Sequence, residues 1–154
     1  MGTANVATNR RARHDYHIHD SMEAGIELTG SEVKSVRGHR VSLAEAYARV
    51  EDGQVWVYGM HIAGYEAGGH ADQDPTRPRR LLLRRSQIRQ LDRAVQQKGV
   101  TLIPLSMYFA NSGYAKVQLG LCVGKRQWEK REAIKERDEQ RRAEQALRDF
   151  EAKR

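Results

Sequence analysis

Apolar and polar positions alternate along two stretches of this chain, and turn-forming residues interrupt both. Ala46 to Glu51 and Gln54 to Met60 are β-type runs separated by Asp52-Gly53, a pair that tolerates the positive φ of a tight turn, so they predict a hairpin. Thr101 to Ala110 and Tyr114 to Gly120, on either side of Asn111-Ser112-Gly113, predict a second. In the last of these runs Ala115, Val117 and Leu119 alternate with Tyr114, Lys116 and Gln118, which leaves one strand face wet. Pro104 has no N–H to give to a ladder, so its strand is expected at an edge or with a bulge. Two further short strands are predicted near Tyr16 to Ser21 and Ala24 to Leu28.

Between the hairpins the period changes. Ile88, Leu91 and Val95 fall on one helical face, with Ser86 as the expected cap and Lys98-Gly99 as the stop. Thr29 to Arg37, with Val33 and Val36 three apart, predicts a short helix bounded by Gly30 and Gly38. Several short strands with a covering helix suggest a mainly β protein with α, built as a small closed or nearly closed barrel. The oligonucleotide-binding fold is a common example.

Composition divides the chain into a basic N-terminal segment (1–14), a patterned body (15–123) and a highly charged tail (124–154). The tail mixes cations with carboxylates at helix-supporting spacings, as in Asp138 to Arg142 and Glu144 to Arg148. Its apolar stripe of Ala143, Ala146, Leu147 and Phe150 is narrow, so the tail is expected to be mobile alone and helical when bound. Against 20 Asp and Glu stand 27 Lys and Arg, a net charge of +7 that favours phosphate-rich partners. The apolar runs fall far short of the ~20 residues a membrane-spanning helix needs. Met1 to Thr8 lacks the pattern of a signal peptide, so a cytoplasmic protein with no membrane partner is expected. The single Cys122 lies in the apolar run Leu119 to Val123, where a small buried thiol is expected.

Candidate chemistry narrows this further. His14, His17 and His19, near Asp15 and Asp20, lack ligands from a second segment apart from His61, so neither a metal site nor any other cofactor is expected. A two-histidine ribonuclease pairing His14 with His61 is the enzyme alternative, and it is not the reading adopted. Gly64 to Gly69 lacks the Lys-Ser or Lys-Thr of a phosphate-cradling loop and reads as a flexible loop. The basic clusters Asn9-Arg10-Arg11-Ala12-Arg13-His14 and Arg77-Pro78-Arg79-Arg80 set guanidinium groups beside rigid structure, where they can fork onto phosphates. Tyr16, Tyr65 and Trp128 lie near basic residues, the mix of stacking faces and cations that RNA recognition favours. Tyr47, Trp56, Tyr58 and Phe109 are expected in the core.

Taken together, these motifs resemble the small protein B (SmpB) family, the partners of transfer-messenger RNA in bacterial trans-translation. The resemblance rests on Asn9 to Tyr16, Glu23-Ala24-Gly25-Ile26, Leu28 to Arg37, Asp74-Pro75-Thr76-Arg77 and Arg79 to Leu83. In the tail it rests on Gly124-Lys125-Arg126, Lys130-Arg131-Glu132 and Ile134-Lys135-Glu136-Arg137. It implies a six-stranded oligonucleotide-binding-like barrel with flanking helices, no enzymatic activity, and delivery of the tRNA-like domain of transfer-messenger RNA to the A site of stalled 70S ribosomes.

By the same resemblance the RNA-facing residues would be Asn9, Arg10, Arg11, Arg13, His14, Tyr16, Glu23, Lys34, Arg37, Arg77, Arg79, Leu81 and Lys116. Lys125, Arg126, Trp128, Glu129, Lys130, Arg131, Lys135 and Arg137 would meet 16S rRNA in the decoding centre and the empty message channel. The RNA would bring elongation factor Tu indirectly, and the protein would act as a monomer. Glu129 stands where the family usually has Asp, Trp128 replaces a different aromatic or smaller side chain, and Gly64 occupies a position often held by Pro.

Overall fold

The computed structural model describes residues 5–64 and 74–152. In chain order the strands are β1 (Asn5–Thr8), β2 (Tyr16–Ile26), β3 (Val41–Ser42), β4 (Tyr47–Glu51), β5 (Gln54–Tyr58), β6 (His61–Ile62), β7 (Arg79–Leu82), β8 (Val100–Phe109) and β9 (Ala115–Gly124). The helices are α1 (Arg10–Asp15), α2 (Gly30–Arg37), α3 (Arg85–Val95) and α4 (Lys125–Ala152). Tyr65 and most of the glycine-rich stretch read as a flexible loop lie outside the described residues.

Both predicted hairpins form. Asp52 and Gly53 take φ of 50° and 73°, and β4 pairs with β5 from Tyr47↔Tyr58 to Glu51↔Gln54. β8 pairs with β9 from Val100↔Val123 to Phe109↔Ala115. Six strands close in the order β8-β4-β5-β7-β2-β9, β9 returning to β8, while β1 pairs with β8 at Ser106 to Tyr108, past the point where β4 pairs at Leu102. This is the six-stranded barrel that was expected. β3 and β6 form a separate two-stranded sheet.

Three local expectations change. Pro104 sits at a bulge between Pro104 and Ser106 rather than at an edge, because β9 runs along one side of β8 and β1 along the other. The two short strands predicted near Tyr16 and Ala24 are one strand, β2, bent by a bulge between Ile18 and Asp20. Ser86 does not cap α3. The cap is Arg84, whose N–H donates to Gln87 Oε1 at 2.9 Å.

The barrel core holds Val36, Val55, Val57, Leu81, Leu91, Leu102, Met107 and Leu119, none more than 1% exposed. Burying such side chains contributes about 1.5–3 kcal/mol each and supplies most of the drive to fold. A second cluster, Ala12, Ile103, Leu105 and Cys122 with Tyr16 and Ile18, lies where α1 covers part of the β2-β9-β8 ribbon. Gly120 allows that approach, since a Cβ there would stand 2.8 Å from Leu105 Cδ1. Cys122 is fully buried, as expected, and burial pushes its thiol up to about 11.

The aromatic residues of the first hairpin are not in the core. Pleating sends Ala48, Val55 and Val57 inward, so Tyr47, Trp56 and Tyr58 take the outer face, where the Tyr47 and Tyr58 rings stack at 5.6 Å. Phe109 is half-buried against the core with the Arg37 guanidinium 4.6 Å above its ring.

α2 is pinned at its first turn. Thr29 Oγ1 accepts from Glu32 N at 3.3 Å and Glu32 Oε1 accepts from Thr29 N at 3.0 Å, a reciprocal cap. The same carboxylate accepts from Arg79 Nε at 2.6 Å and from Arg77. Arg79, with no exposed surface, also donates to Met60 O at 2.8 Å and Pro75 O at 2.9 Å. Burial raises the Glu32 carboxyl, but hydrogen bonds from Arg77, the Thr29 amide and Arg79 outweigh it and hold the group below its ordinary 4.5.

Two outcomes follow. Glu32→Ala strands a buried guanidinium and should cost about 3–5 kcal/mol in a denaturant melt. Because the folded-state value is depressed, the carboxylate's contribution is fully present above about 4.5 and is lost as pH falls through the lower folded value. An acid titration of Tm should show that loss in the wild type and not in Glu32→Gln.

Candidate nucleic-acid interface

The basic N-terminal motif folds into α1 because Asn9 is consumed in capping it. Asn9 Oδ1 accepts from Ala12 N at 3.0 Å, while its Nδ2 donates to Leu43 O at 3.0 Å and Pro104 O at 3.1 Å. The side chain is buried, so Asn9, one of the expected RNA-facing residues, anchors the motif. Arg11 also has protein partners, Glu45 at 2.8 Å and Asp15 at 3.4 Å. Arg10, Arg13 and His14 remain on the exposed side of the helix. His14 Nδ1 lies 2.9 Å from Asp15 Oδ1, and that hydrogen bond is the largest of the effects lowering the Asp15 carboxyl.

Beyond α1, the outer face of the β2-β9-β8 ribbon is open and polar. Register sets Glu23 opposite Gln118 and Lys116 opposite Tyr108. Gln118 Nε2 donates to Ser21 Oγ at 2.8 Å, and the Tyr108 hydroxyl donates to Glu23 Oε2. Burial, reinforced by that hydrogen bond and by the Glu23 charge, pushes the Tyr108 phenol up to about 12. Sequence reasoning selected Glu23 and Lys116 but missed Tyr108, Ser21 and Gln118 as members of one patch. The alternation around Lys116 was the available signal; pairing with β2 and β8 was not readable.

The second basic cluster requires a larger correction. Arg79 is enclosed and bound to Glu32, and Leu81, 1% exposed, packs in the core opposite Val55. Neither side chain reaches the surface. Arg77 is half-buried and shares the Glu32 carboxylate. Lys34 and Arg37 are exposed on α2.

The tail begins where β9 ends, and its root lies against the barrel. Trp128 stacks on His17 with ring centres 3.8 Å apart and planes 10° apart, and meets His19 at 6.1 Å. Arg131 donates to Lys98 O. From Ala133 onward the described residues are exposed, including Lys135 and Arg137 of the expected set. Lys125, Arg126, Glu129 and Lys130 are exposed on the root itself. No helix among the described residues is long and apolar enough to cross a membrane.

A family model described as SmpB protein matches residues 6–149. The SsrA-binding protein of Limosilactobacillus reuteri is 50% identical over 145 residues, 94% of this chain and 92% of that protein. The SsrA-binding protein of Moorella thermoacetica is 52% identical over 144 residues, 94% of this chain and 93% of its own. A chain from a solved tmRNA-SmpB structure concerned with the bacterial ribosome superposes with a TM-score of 0.66 at 49% identity, covering 81% of this chain and 85% of that one.

The Tyr108–Glu23 contact is open to direct test. Glu23→Ala removes both the acceptor and the charge, so the phenol should titrate part of the way back from about 12 towards 10.0, burial's share remaining. Carbon-13 NMR of the tyrosine Cζ resonances would follow it. An unmoved value would mean that Tyr108 and Glu23 are not paired in solution.

Proposed function

This chain belongs to the SmpB family, and from that premise we propose that it binds the tRNA-like domain of transfer-messenger RNA and brings it to the vacant A site of stalled ribosomes. The observation that carries the reading is near-half identity, across more than nine tenths of the chain, to proteins named for binding SsrA. The geometry supports it with a rigid barrel that presents cations and hydrogen-bonding groups on one connected surface. Arg10, Arg13 and His14 stand on α1, and Glu23, Tyr108, Lys116 and Gln118 follow on the ribbon. Guanidinium groups take phosphates, which position an RNA, while the carboxylate and amide read ribose and base donors.

The exposed part of α4 then reaches into the message channel and the decoding centre of the 70S ribosome. Arg126, Lys130, Lys135 and Arg137 neutralise 16S rRNA phosphates there. Contact with the ribosome holds a helix whose narrow apolar stripe does little to fix it alone. In this reading the protein is cytoplasmic, acts as a monomer, meets elongation factor Tu only through the charged RNA, and makes or breaks no bond.

An electrophoretic mobility shift with the tRNA-like domain, using ordinary tRNA as competitor at physiological salt, tests the proposal. Preferential binding is expected; equal weak binding to both RNAs would reduce the protein to a general translation-associated RNA binder. Arg13→Ala should weaken binding about three- to tenfold and reduce the magnitude of the salt slope by about 0.9, the loss of one phosphate contact. Truncation after Gly124 should leave the barrel's preference for the tRNA-like domain in place, with affinity lowered by the lost contacts of the tail root, while abolishing tagging in a reconstituted translation assay.

A further inference from the structure

The root of the tail and the N-terminal motif enclose a common space. Arg13 of α1, Tyr16, His17 and Ile18 of β2, and Lys125, Trp128 and Glu129 of α4 line one open cleft of about 540 Å³. Its chemistry is uneven. The rings of Tyr16, His17 and Trp128 line it, with the indole and imidazole already stacked and nearly parallel at 3.8 Å. Two cations line it as well, and neither Arg13 nor Lys125 has an ion-pair partner among the described residues, whereas Arg11, two positions from Arg13, is held by Glu45 and Asp15. A single carboxylate, Glu129, stands beside them.

Resting on the RNA-binding reading above, we propose that this cleft holds one unpaired purine nucleotide of the bound RNA. Its base extends the His17–Trp128 stack and its phosphate lies between Arg13 and Lys125. Stacking uses a purine's wide face and tolerates either base, while Glu129 accepts from an exocyclic amine or a ribose hydroxyl. The volume suits one nucleotide and excludes a paired helix. The site is composite, since α1, β2 and α4 each contribute a wall. An RNA that fills it therefore also sets the angle at which the tail leaves the barrel, and Lys125 and Trp128 act at the barrel rather than in the message channel. Arg131, bound to the Lys98 carbonyl one turn further along α4, holds the helix root in place for this role.

The full-length Trp56→Phe chain leaves Trp128 as the one tryptophan of the two in the sequence. Titrating it with a short single-stranded oligoadenylate and, separately, with the tRNA-like domain should quench Trp128 emission in both cases. Trp128→Ala or Arg13→Ala in the wild-type chain should weaken oligoadenylate binding about tenfold, as expected from a base–aromatic stack worth ~1–3 kcal/mol. Glu139→Gln, far along the exposed helix, should not. If Trp56→Phe disturbs folding, the indole N–H resonance of Trp128 in the unmutated chain provides the same readout.

An RNA domain that shifts in a gel while Trp128 emission and its indole resonance stay unchanged would overturn the cleft proposal and leave the functional reading standing. Quenching by oligoadenylate without any gel shift of the tRNA-like domain would do the reverse.

Discussion

The contact on which much of this molecule depends is the buried carboxylate of Glu32 between two guanidinium groups. It fixes the first turn of α2 through the Thr29 cap, fastens that helix to β7 through Arg79, and through Arg79 ties down the Met60 and Pro75 carbonyls. Three pieces of chain, around Glu32, Met60 and Arg79, meet at this one carboxylate. Such a pair gains little over apolar packing but is costly to break, because whichever partner remains is left charged and enclosed. It therefore specifies how α2 and β7 sit on the barrel more than it adds to the total stability.

A second constraint shapes the surface that the RNA reading uses. The β2-β9-β8 ribbon carries two bulges, at Ile18/Asp20 and Pro104/Ser106, and α1 settles near this bent region through Asn9, which donates to the Pro104 carbonyl. A bulge shifts alternation by one residue and re-aims the side chains beyond it. On β2 Ile18, opposite Cys122, lies on the outer face beneath Ala12 of α1, and beyond the bulge Ser21 and Glu23 continue that outer face while Met22 and Ala24 face the barrel core. One end of the ribbon is thus covered by α1 and the other left polar, so cations on the helix lie next to hydrogen-bonding groups on the strands.

The legible parts of this arrangement were those governed by local chemistry. Asp52-Gly53 announced its hairpin because few other pairs tolerate φ of 50° and 73°, and the Ile88–Leu91 stripe announced α3. What escaped was decided by partners distant in the chain. Arg79 looks like its neighbour Arg80 in the sequence, yet β7 pairing turns one inward to Glu32 and the other outward to Glu27. Asn9 carries no mark that its amide will be spent on Leu43 and Pro104. Tyr47, Trp56 and Tyr58 were assigned to the core on hydrophobicity, where strand parity gives the opposite answer. The SmpB resemblance identified the family correctly, but it carries positions, and a position says nothing of whether a side chain acts by touching RNA or by holding the part that does.

That distinction changes how the basic residues should be weighed. A count of cations suggests a uniformly phosphate-seeking protein, but Arg11, Arg77, Arg79 and Arg80 are matched to carboxylates within the chain. The enclosed guanidinium groups of Arg77 and Arg79 have exchanged much of their hydration for the Glu32 carboxylate, and an RNA phosphate would have to displace it, whereas the exposed pairs of Arg11 and Arg80 are held more weakly. Arg10, Arg13, Lys116, Lys125 and Arg126 show no such ion pair among the described residues. They stand on α1, on the outer strand face and at the tail root, and a further set without ion pairs among the described residues, Arg85, Arg89 and Arg93, stands on α3. Charge available to RNA is therefore smaller than the cation count, and separating structural from available charge shows which basic residues a phosphate can reach without displacing an internal anion.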